Sequence, residues 1–369
     1  MKSYNEAMAR TWSENRLFSV LLELTYRCNL DCWFCYNDTA LVGRPLSREQ
    51  YLSLLADLAD LGVLHLTLSG GEPLAHPEFF AIGGRARELG FVVRIKSNGH
   101  ALRGALARRV RAEIDPYVVE ISLHGARAET HDRQTRVPGS FDRLLANLEE
   151  LVGQGYRLQL NSTLTAWNQD EIREMFAIAD RLGVRLQFDP EVTPRDDGDR
   201  EPLAITVPRS GLRRLFEIES ERAEAAARAA GVDPGAISSA VARQGDQMVA
   251  PAPGGKHCGA GSSTACVDPY GTVYPCVQWR RAVGNLHEAR IGEIWARSRG
   301  LADVRALEVE IHDALAATGA DAHLLAFCPG TAEARGGDPR RVYAAAEERR
   351  DLLRATESGR RRTLLPVLP

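Results

Sequence analysis

Three cysteines lie close together near the start of the chain, at Cys28, Cys32 and Cys35. They have C-x3-C-x2-C spacing and follow an apolar run, residues 18–25, that predicts a buried strand. The thiols are therefore expected on the loop that leaves the carboxyl end of this strand. Soft thiolates crowded on one short loop favour an iron–sulfur cluster over a hard metal ion. A zinc knuckle or buried thiols are the alternatives, although zinc knuckles usually pair one C-x2-C with a second.

A glycine-rich turn follows the second predicted strand, and polar residues end the next two strands. Adjacent glycines let a backbone approach a ligand closely, and a following proline stiffens the exit of the turn. Polar residues at strand ends are common and by themselves indicate only turns and caps. The residues concerned are Gly70, Gly71, Glu72 and Pro73 in the turn, and Ser97, Asn98 and Ser122 at the strand ends.

The cysteine loop and the glycine-rich turn, in this order and spacing, resemble the signature motifs of the radical S-adenosylmethionine (SAM) enzymes. The resemblance implies a [4Fe–4S] cluster with three cysteine ligands, whose remaining iron binds the amino and carboxylate groups of SAM. An electron from the cluster, delivered by a flavodoxin- or ferredoxin-type donor, would then split SAM to a 5′-deoxyadenosyl radical.

The same resemblance implies which residues contact SAM. The turn at residues 70–73 would accept hydrogen bonds from the SAM ammonium group, and the strand-end residues would contact the ribose and the carboxylate. Phe34 matches an aromatic residue that packs near the adenine. Arg136 resembles an arginine that pairs with the SAM carboxylate, an anion that suits a guanidinium fork. Arg133 is close enough in sequence to compete for this role, and the sequence identifies no catalytic base.

Apolar runs alternate with amphipathic stretches through the first half of the chain, which predicts parallel βαβ units. Six such units match the partial (β/α)6 barrel that the resemblance implies, an α/β fold with its chemistry at the carboxyl ends of the strands. Glycines at 62, 90, 153 and 183 are expected to end helices. The predicted strands are residues 18–25, 64–68, 92–97, 118–123, 157–164 and 185–188; the predicted helices are residues 48–61, 77–88, 102–111, 141–152 and 169–182.

A second group of cysteines occupies the last third of the chain: Cys258, Cys266, Cys276 and Cys328. Residues 268–271 read Asp-Pro-Tyr-Gly, a turn that places the second and third of these cysteines near opposite ends of one β-hairpin. Four cysteines could also hold a structural zinc or be unrelated core thiols. Their gaps, however, differ from the paired C-x2-C of zinc ribbons.

This stretch resembles the SPASM domain and its shorter relative Twitch, small domains that carry auxiliary iron–sulfur clusters. The resemblance implies one auxiliary cluster, because the four cysteines supply the ligands of one cluster only. Ligand number does not separate [4Fe–4S], which we favour, from [2Fe–2S]. The expected organisation is a helical extension (1–16), the radical SAM core (17–205), a helical linker (206–255), the SPASM/Twitch-like domain (256–330), and a C-terminal helix and tail (331–369).

Composition excludes several classes of protein. The chain has 369 residues and a net charge of −3, so nothing indicates an electrostatic nucleic-acid partner. Neither a membrane span nor a secretory signal is recognisable. Seven cysteines in two groups argue against a disulfide framework and for metal ligation in a reducing cytoplasm.

The resemblance to SPASM and Twitch enzymes implies that the chain matures a ribosomally made peptide by crosslinking, epimerisation or side-chain oxidation. Only some twenty residues precede the first strand, too few for a fused leader-peptide-binding domain. Either a separate leader-peptide-binding protein or the barrel itself is therefore expected to recognise the peptide. Val277 follows Cys276 where sulfatase-maturing relatives carry an aspartate, which disfavours formylglycine formation. Two alternatives are a radical SAM dehydrogenase or modifier of a small molecule, such as a sugar or a tetrapyrrole, and a non-catalytic iron–sulfur electron-transfer protein.

Overall fold

One nine-stranded sheet runs through the structure, a computed structural model that describes residues 10–231, 255–317, 325 and 327–361. The strand order is β6-β5-β4-β3-β2-β1-β7-β8-β9. Strands β1 to β7 pair in parallel, and β8 and β9 add antiparallel pairs at one edge. The strands are β1 (Ser19–Thr25), β2 (His65–Gly70), β3 (Val92–Ser97), β4 (Val118–Ser122), β5 (Leu158–Thr163), β6 (Arg185–Asp189), β7 (Thr264–Val267), β8 (Thr272–Tyr274) and β9 (Gly284–Asn285).

Helices connect the first six strands and continue beyond them. They are α1 (Arg48–Asp60), α2 (Phe79–Glu88), α3 (Gly104–Glu113), α4 (Ala128–Thr135), α5 (Ser140–Gly153), α6 (Ile172–Leu182), α7 (Arg209–Ala229), α8 (Ile291–Arg297), α9 (Arg299–Ala316), α10 (Pro329–Gly336) and α11 (Ala344–Arg361). The α/β class and the partial barrel are as predicted. Helix α4 was not predicted, and the end of α5 was misplaced: Gly153 is its last residue, and Gly155 has the left-handed φ of 74°.

The two faces of the sheet differ in polarity, and this difference determines where a site can form. Side chains on one face, such as Leu22, Leu66 and Ile121, are fully buried in the main core; each contributes roughly 1.5–3 kcal/mol of burial free energy. The opposite face carries polar side chains in register across the strands, among them Lys96, which is aligned with Glu120. This polar face lies on the inner side of the curved sheet, where a ligand can bind.

The predicted cysteine hairpin is present and is joined to the barrel sheet. The Asp268 carboxylate accepts hydrogen bonds from the Tyr270 and Thr272 amides (2.9 and 2.8 Å), which fixes the turn between β7 and β8. Cys266 lies in β7 and Cys276 lies just beyond β8. Strand β7 pairs in parallel with β1, so the second cysteine group is built onto the first strand of the barrel.

Several expected segments lie wholly or partly outside the described residues. Residues 10–13 are helical, but residues 1–9 of the expected N-terminal extension are not described. The expected linker contains α7, whereas residues 232–254 are not described, nor are residues 362–369 of the tail. Within the described ranges, no helix combines the length and apolar character needed to cross a membrane.

Candidate metal centres

The first cysteine loop lies at the carboxyl end of β1 and is anchored to the end of α4. The amides of Asp31 and Trp33 donate hydrogen bonds to the carbonyls of Thr135 and Gln134 (3.1 and 2.9 Å). The short helix α4 thus shapes the loop, although sequence reasoning did not find it.

The three thiols of this loop lie close enough to affect one another. Burial raises the pKa of Cys32 well above its usual value, and the nearby Cys35 and Cys28 raise it further. The Leu30 amide and the Asn98 side chain donate to the Cys28 sulfur at 3.4 and 3.6 Å. The loop therefore carries three sulfur donors, one of which accepts hydrogen bonds from amide groups, and thiolates of this kind are the ligands of iron–sulfur clusters.

The glycine-rich turn packs directly against the backbone that leads into the cysteine loop. The Gly71 amide donates to the Thr25 carbonyl (2.6 Å), and the Glu72 amide donates to the Arg27 carbonyl (2.9 Å). A Cβ added at Gly71 would lie 2.5 and 2.7 Å from the carbonyl oxygens of Arg27 and Tyr26. Only glycine fits at this position, because the two backbones touch.

Glu72 joins the predicted turn to the end of β3. Its carboxylate accepts hydrogen bonds from the Ser97 hydroxyl (3.0 Å) and the Asn98 amide (2.9 Å). Burial raises the pKa of Glu72 to about 7. Asn37, which the sequence did not identify, donates to the Gly70 carbonyl at 3.2 Å, while its own buried amide oxygen has no hydrogen-bond partner. An orphaned buried acceptor beside the predicted SAM turn fits a ligand that brings a donor.

The remaining predicted SAM contacts line the same end of the sheet. Ser122 ends β4, and the Phe34 ring lies 4.4 Å from the His124 ring. Arg136 has a left-handed φ of 57° and stacks over the Trp33 ring at 4.1 Å. Its guanidinium pairs with Asp31 (3.4 Å) and Glu201 (2.9 Å).

The competing arginine lies farther from the loop. Arg133 stacks over the Trp167 ring at 3.8 Å, and Trp167 in turn meets the Trp33 ring edge-on at 5.2 Å. Arg136 thus touches the cysteine loop directly, whereas Arg133 reaches it through an aromatic neighbour.

The second cysteine group comes together from separate parts of the C-terminal region. Burial raises the pKa of Cys258, and nearby Cys276 and Cys328 add to the shift. The pKa of Cys276 is raised to about 11, by burial first and then by Cys328. The pKa of buried Cys266 is also raised, chiefly by burial, with a smaller effect from Cys276. Cys276 is therefore near enough to each of the other three cysteines to influence or be influenced by its charge. Within the described residues, however, the side chains do not form a group of three or more ligands already placed to hold a metal ion.

Glu308 in α9 adds a buried carboxylate to this group, which sequence reasoning missed. Its two oxygens accept hydrogen bonds from the Cys258 amide (2.8 Å) and the Cys258 thiol (3.2 Å). Burial raises the pKa of Glu308 to about 7. Should Cys258 become a thiolate, a protonated Glu308 would keep this contact favourable.

A buried ionic network lies between the two cysteine groups and was not predicted. Glu23 in β1 is fully buried and makes a two-pronged ion pair with Arg280, at 2.7 and 2.9 Å. The hydroxyl groups of Tyr26 and Tyr36 also donate to the Glu23 carboxylate. The sequence contains one signal of this network: Glu23 is the only carboxylate in a largely apolar strand, and a buried carboxylate needs a buried partner. Tyr36 directly follows Cys35, so the network begins beside the first cysteine loop.

Comparison with known proteins identifies the family. The model of the radical SAM superfamily matches residues 22–179, and the model of the SPASM iron–sulfur cluster-binding domain matches residues 258–315. The chain belongs to the radical SAM superfamily. Within that superfamily it is an enzyme with a C-terminal SPASM domain, and its cofactors are SAM and iron–sulfur clusters.

Three similar proteins illustrate the range of the family. The AdoMet-dependent heme synthase of Methanosarcina barkeri is 28% identical over 281 residues, which cover 74% of this chain and 80% of that protein. The PqqA peptide cyclase of Rhizobium meliloti is 34% identical over 169 residues, 45% of each chain. The structure of anSMEcpe with bound AdoMet and a peptide has a TM-score of 0.70 at 15% identity, covering 94% of this chain and 98% of that one. This last similarity concerns the fold alone.

Proposed function

We propose that this chain matures a peptide by radical SAM chemistry, with Cys28, Cys32 and Cys35 as ligands of the SAM-binding [4Fe–4S] cluster. When bound, this cluster and SAM supply a 5′-deoxyadenosyl radical that removes a hydrogen atom from the substrate. The contribution of the chain is to position these groups. The predicted SAM contacts at residues 70–73 lie against the cysteine loop through backbone contacts that leave no room for a side chain at Gly71.

We infer that Cys258, Cys266, Cys276 and Cys328 hold one auxiliary cluster. The support is the mutual electrostatic influence that links Cys276 with the other three cysteines, together with the match of residues 258–315, which include the first three of them, to the SPASM model. Four thiolates are the usual ligand set of a complete cluster. No cysteine of the chain would then be left over, because the seven cysteines divide into three and four.

The observation that carries the peptide proposal is a row of side-chain amides on the polar face of the sheet. Gln159 donates to Asn161 (2.9 Å) and to Gln187 (3.2 Å), and Asn161 donates to Glu120 (2.9 Å). Side-chain amides both donate and accept hydrogen bonds, as backbone peptide groups do. Spaced along adjacent strands, they suit an extended peptide better than an apolar ligand. The similarity to a PqqA peptide cyclase supports the same conclusion.

Co-expression tests this proposal. The chain should be produced with each short peptide encoded beside its gene, and the peptide analysed by mass spectrometry. We expect a peptide lighter by about two hydrogens, because an oxidative radical reaction removes them. The Cys32→Ala variant is the control and should leave the peptide unchanged. A peptide that keeps its mass in H2O and gains no carbon-bound deuterium in D2O, in the presence of enzyme that forms 5′-deoxyadenosine, would count against a peptide substrate.

A tetrapyrrole is the second candidate substrate, because the similarity to an AdoMet-dependent heme synthase covers 80% of that protein. Lys96, Arg94 and Arg185 on the polar face could pair with tetrapyrrole carboxylates. Substrate-dependent loss of carboxyl groups from a carboxylated porphyrin, with SAM and dithionite present, would support this alternative.

Iron counting tests the cluster assignment separately from the substrate. The Cys28/Cys32/Cys35→Ala triple variant is expected to retain one cluster in the second site. A triple variant that is well folded but contains neither iron nor acid-labile sulfide would refute the assignment of the auxiliary cluster site.

We also infer two conditions for activity. A flavodoxin- or ferredoxin-type donor must deliver the electron, and a separate leader-peptide-binding protein recognises the substrate. None of the seven cysteines forms a disulfide, which agrees with a reducing compartment.

A further inference from the structure

Arg280 has an unusual position for a charged residue, buried between the barrel and the second cysteine group. Its side chain is 15% exposed and is held by Glu23 on one side and by Asp196 on the other, whose carboxylate lies 2.9 Å from Nε. The rings of Tyr274 and Tyr36 lie 5.1 and 5.6 Å from the guanidinium carbon. The guanidinium is therefore fixed in direction as well as in place.

One end of this guanidinium reaches a cysteine of the second group. The Nη1 atom of Arg280 lies 3.8 Å from the Cys266 sulfur, within hydrogen-bonding distance for sulfur. Strand register produces this contact: Cys266 in β7 is aligned with Leu21 in β1, two residues before Glu23 and on the same face. The carboxylate that orients Arg280 therefore stands next to the sulfur that Arg280 contacts.

We propose that Arg280 raises the reduction potential of the auxiliary cluster by donating a hydrogen bond to the Cys266 thiolate, with Glu23 as the residue that orients it. The reduced cluster carries one more negative charge than the oxidised cluster. A buried cation and an N–H donor at a ligand sulfur stabilise that extra charge, and hydrogen bonds to sulfur are among the determinants of cluster potential. This inference rests on the proposed role of Cys266 as a ligand and is independent of the substrate.

The potential of the auxiliary cluster can be measured in isolation. In the Cys28/Cys32/Cys35→Ala background, a redox titration followed by electron paramagnetic resonance reports one cluster, without SAM or substrate. We expect Arg280→Gln to make one-electron reduction at least tenfold less favourable, a shift of about 59 mV to lower potential. The neighbouring Arg281 pairs with Glu333 (2.6 Å) instead of a cysteine, so Arg281→Gln should leave the potential unchanged.

Two further variants separate the charge from a structural effect. Arg280→Lys keeps the charge and should recover part of the lost potential. The double variant Glu23→Gln/Arg280→Gln removes the fully buried carboxylate together with its cation, so that only Asp196, whose side chain is 20% exposed, loses its ion-pair partner. This variant should keep its iron while showing the lowered potential. Equal potentials in the parent, in Arg280→Gln and in the double variant would overturn the proposal. So would a shift of the same size in Arg281→Gln, or loss of iron from every Arg280 variant, because the residue would then act on assembly alone.

A failure of the Arg280 proposal can be distinguished from a failure of the proposed function. A parent triple variant without iron would remove the auxiliary site itself. An unmodified peptide in the co-expression experiment would remove the substrate but leave the potential measurements intact.

Discussion

Replacing Glu23 with leucine should destabilise the protein more than removal of any exposed carboxylate. Glu23 is fully buried, pairs with Arg280 at 2.7 and 2.9 Å, and accepts hydrogen bonds from two tyrosine hydroxyls. Leucine leaves the buried guanidinium with Asp196 as its remaining carboxylate and the tyrosines without their acceptor. Loss of one partner of a buried ion pair costs roughly 3–5 kcal/mol. We expect a loss of about 3 kcal/mol, because Asp196 still compensates part of the charge.

The assay is urea unfolding of the reduced, metal-free protein, followed by circular dichroism. Glu221→Gln is the matched control: Glu221 pairs with Arg173 at the same distance of 2.7 Å, but the two side chains are 57% and 63% exposed. Its removal should cost between about 0 and 1 kcal/mol. The triple variant Glu23→Leu/Asp196→Asn/Arg280→Met should recover most of the loss, since it removes the guanidinium together with both of its carboxylate partners. Similar losses in Glu23→Leu and Glu221→Gln would refute the reasoning.

Three more outcomes are expected. Gly71→Ala should destabilise the cysteine loop by roughly 1–3 kcal/mol and reduce iron binding there. Gly153→Ala should do neither, because a Cβ at Gly153 has no other atom within 4 Å. Normal iron content in the Gly71→Ala variant would contradict this expectation. Burial lowers the pKa of His131 to about 4, so its contribution to stability is present above pH 6.5 and is lost as pH falls towards 4. Between pH 7 and pH 5, the free energy of unfolding of the metal-free protein should fall by about 2 kcal/mol more than that of the His131→Phe variant. Parallel pH profiles of the two proteins in urea unfolding would contradict this. Arg136→Gln should raise the KM for SAM about tenfold in a 5′-deoxyadenosine assay, and Arg133→Gln should raise it less; the reverse order would show that Arg133 is the SAM contact.

Local sequence patterns were sufficient for much of the fold. The predicted strand at residues 92–97 coincides with β3, because its apolar run is bounded by clear turn residues. Helix α4 escaped prediction because its sequence, Ala-Glu-Thr-His-Asp-Arg-Gln-Thr, carries no apolar stripe. Its buried residues His131, Gln134 and Thr135 are polar and are recognisable only once their partners are known.

The two groups of cysteines are recognisable from spacing and turn chemistry, but the charged residues around them are not. Glu23 and Arg280 are 257 residues apart, and Glu308 is 50 residues from Cys258. No local pattern connects such pairs. The pairing of β7 with β1 is equally non-local, and it brings the second cysteine group against the first strand of the barrel.

The pairing of β7 with β1 also has a mechanical consequence. Residues Ser19 to Leu22 are hydrogen-bonded in register with residues Thr264 to Val267, and adjacent strands of a sheet lie about 4.8 Å apart. The C-terminal domain therefore cannot swing away from the barrel as a hinged lid without breaking a continuous ladder. The sheet therefore fixes the distance between the two cysteine groups, which cannot change as it would across a flexible hinge.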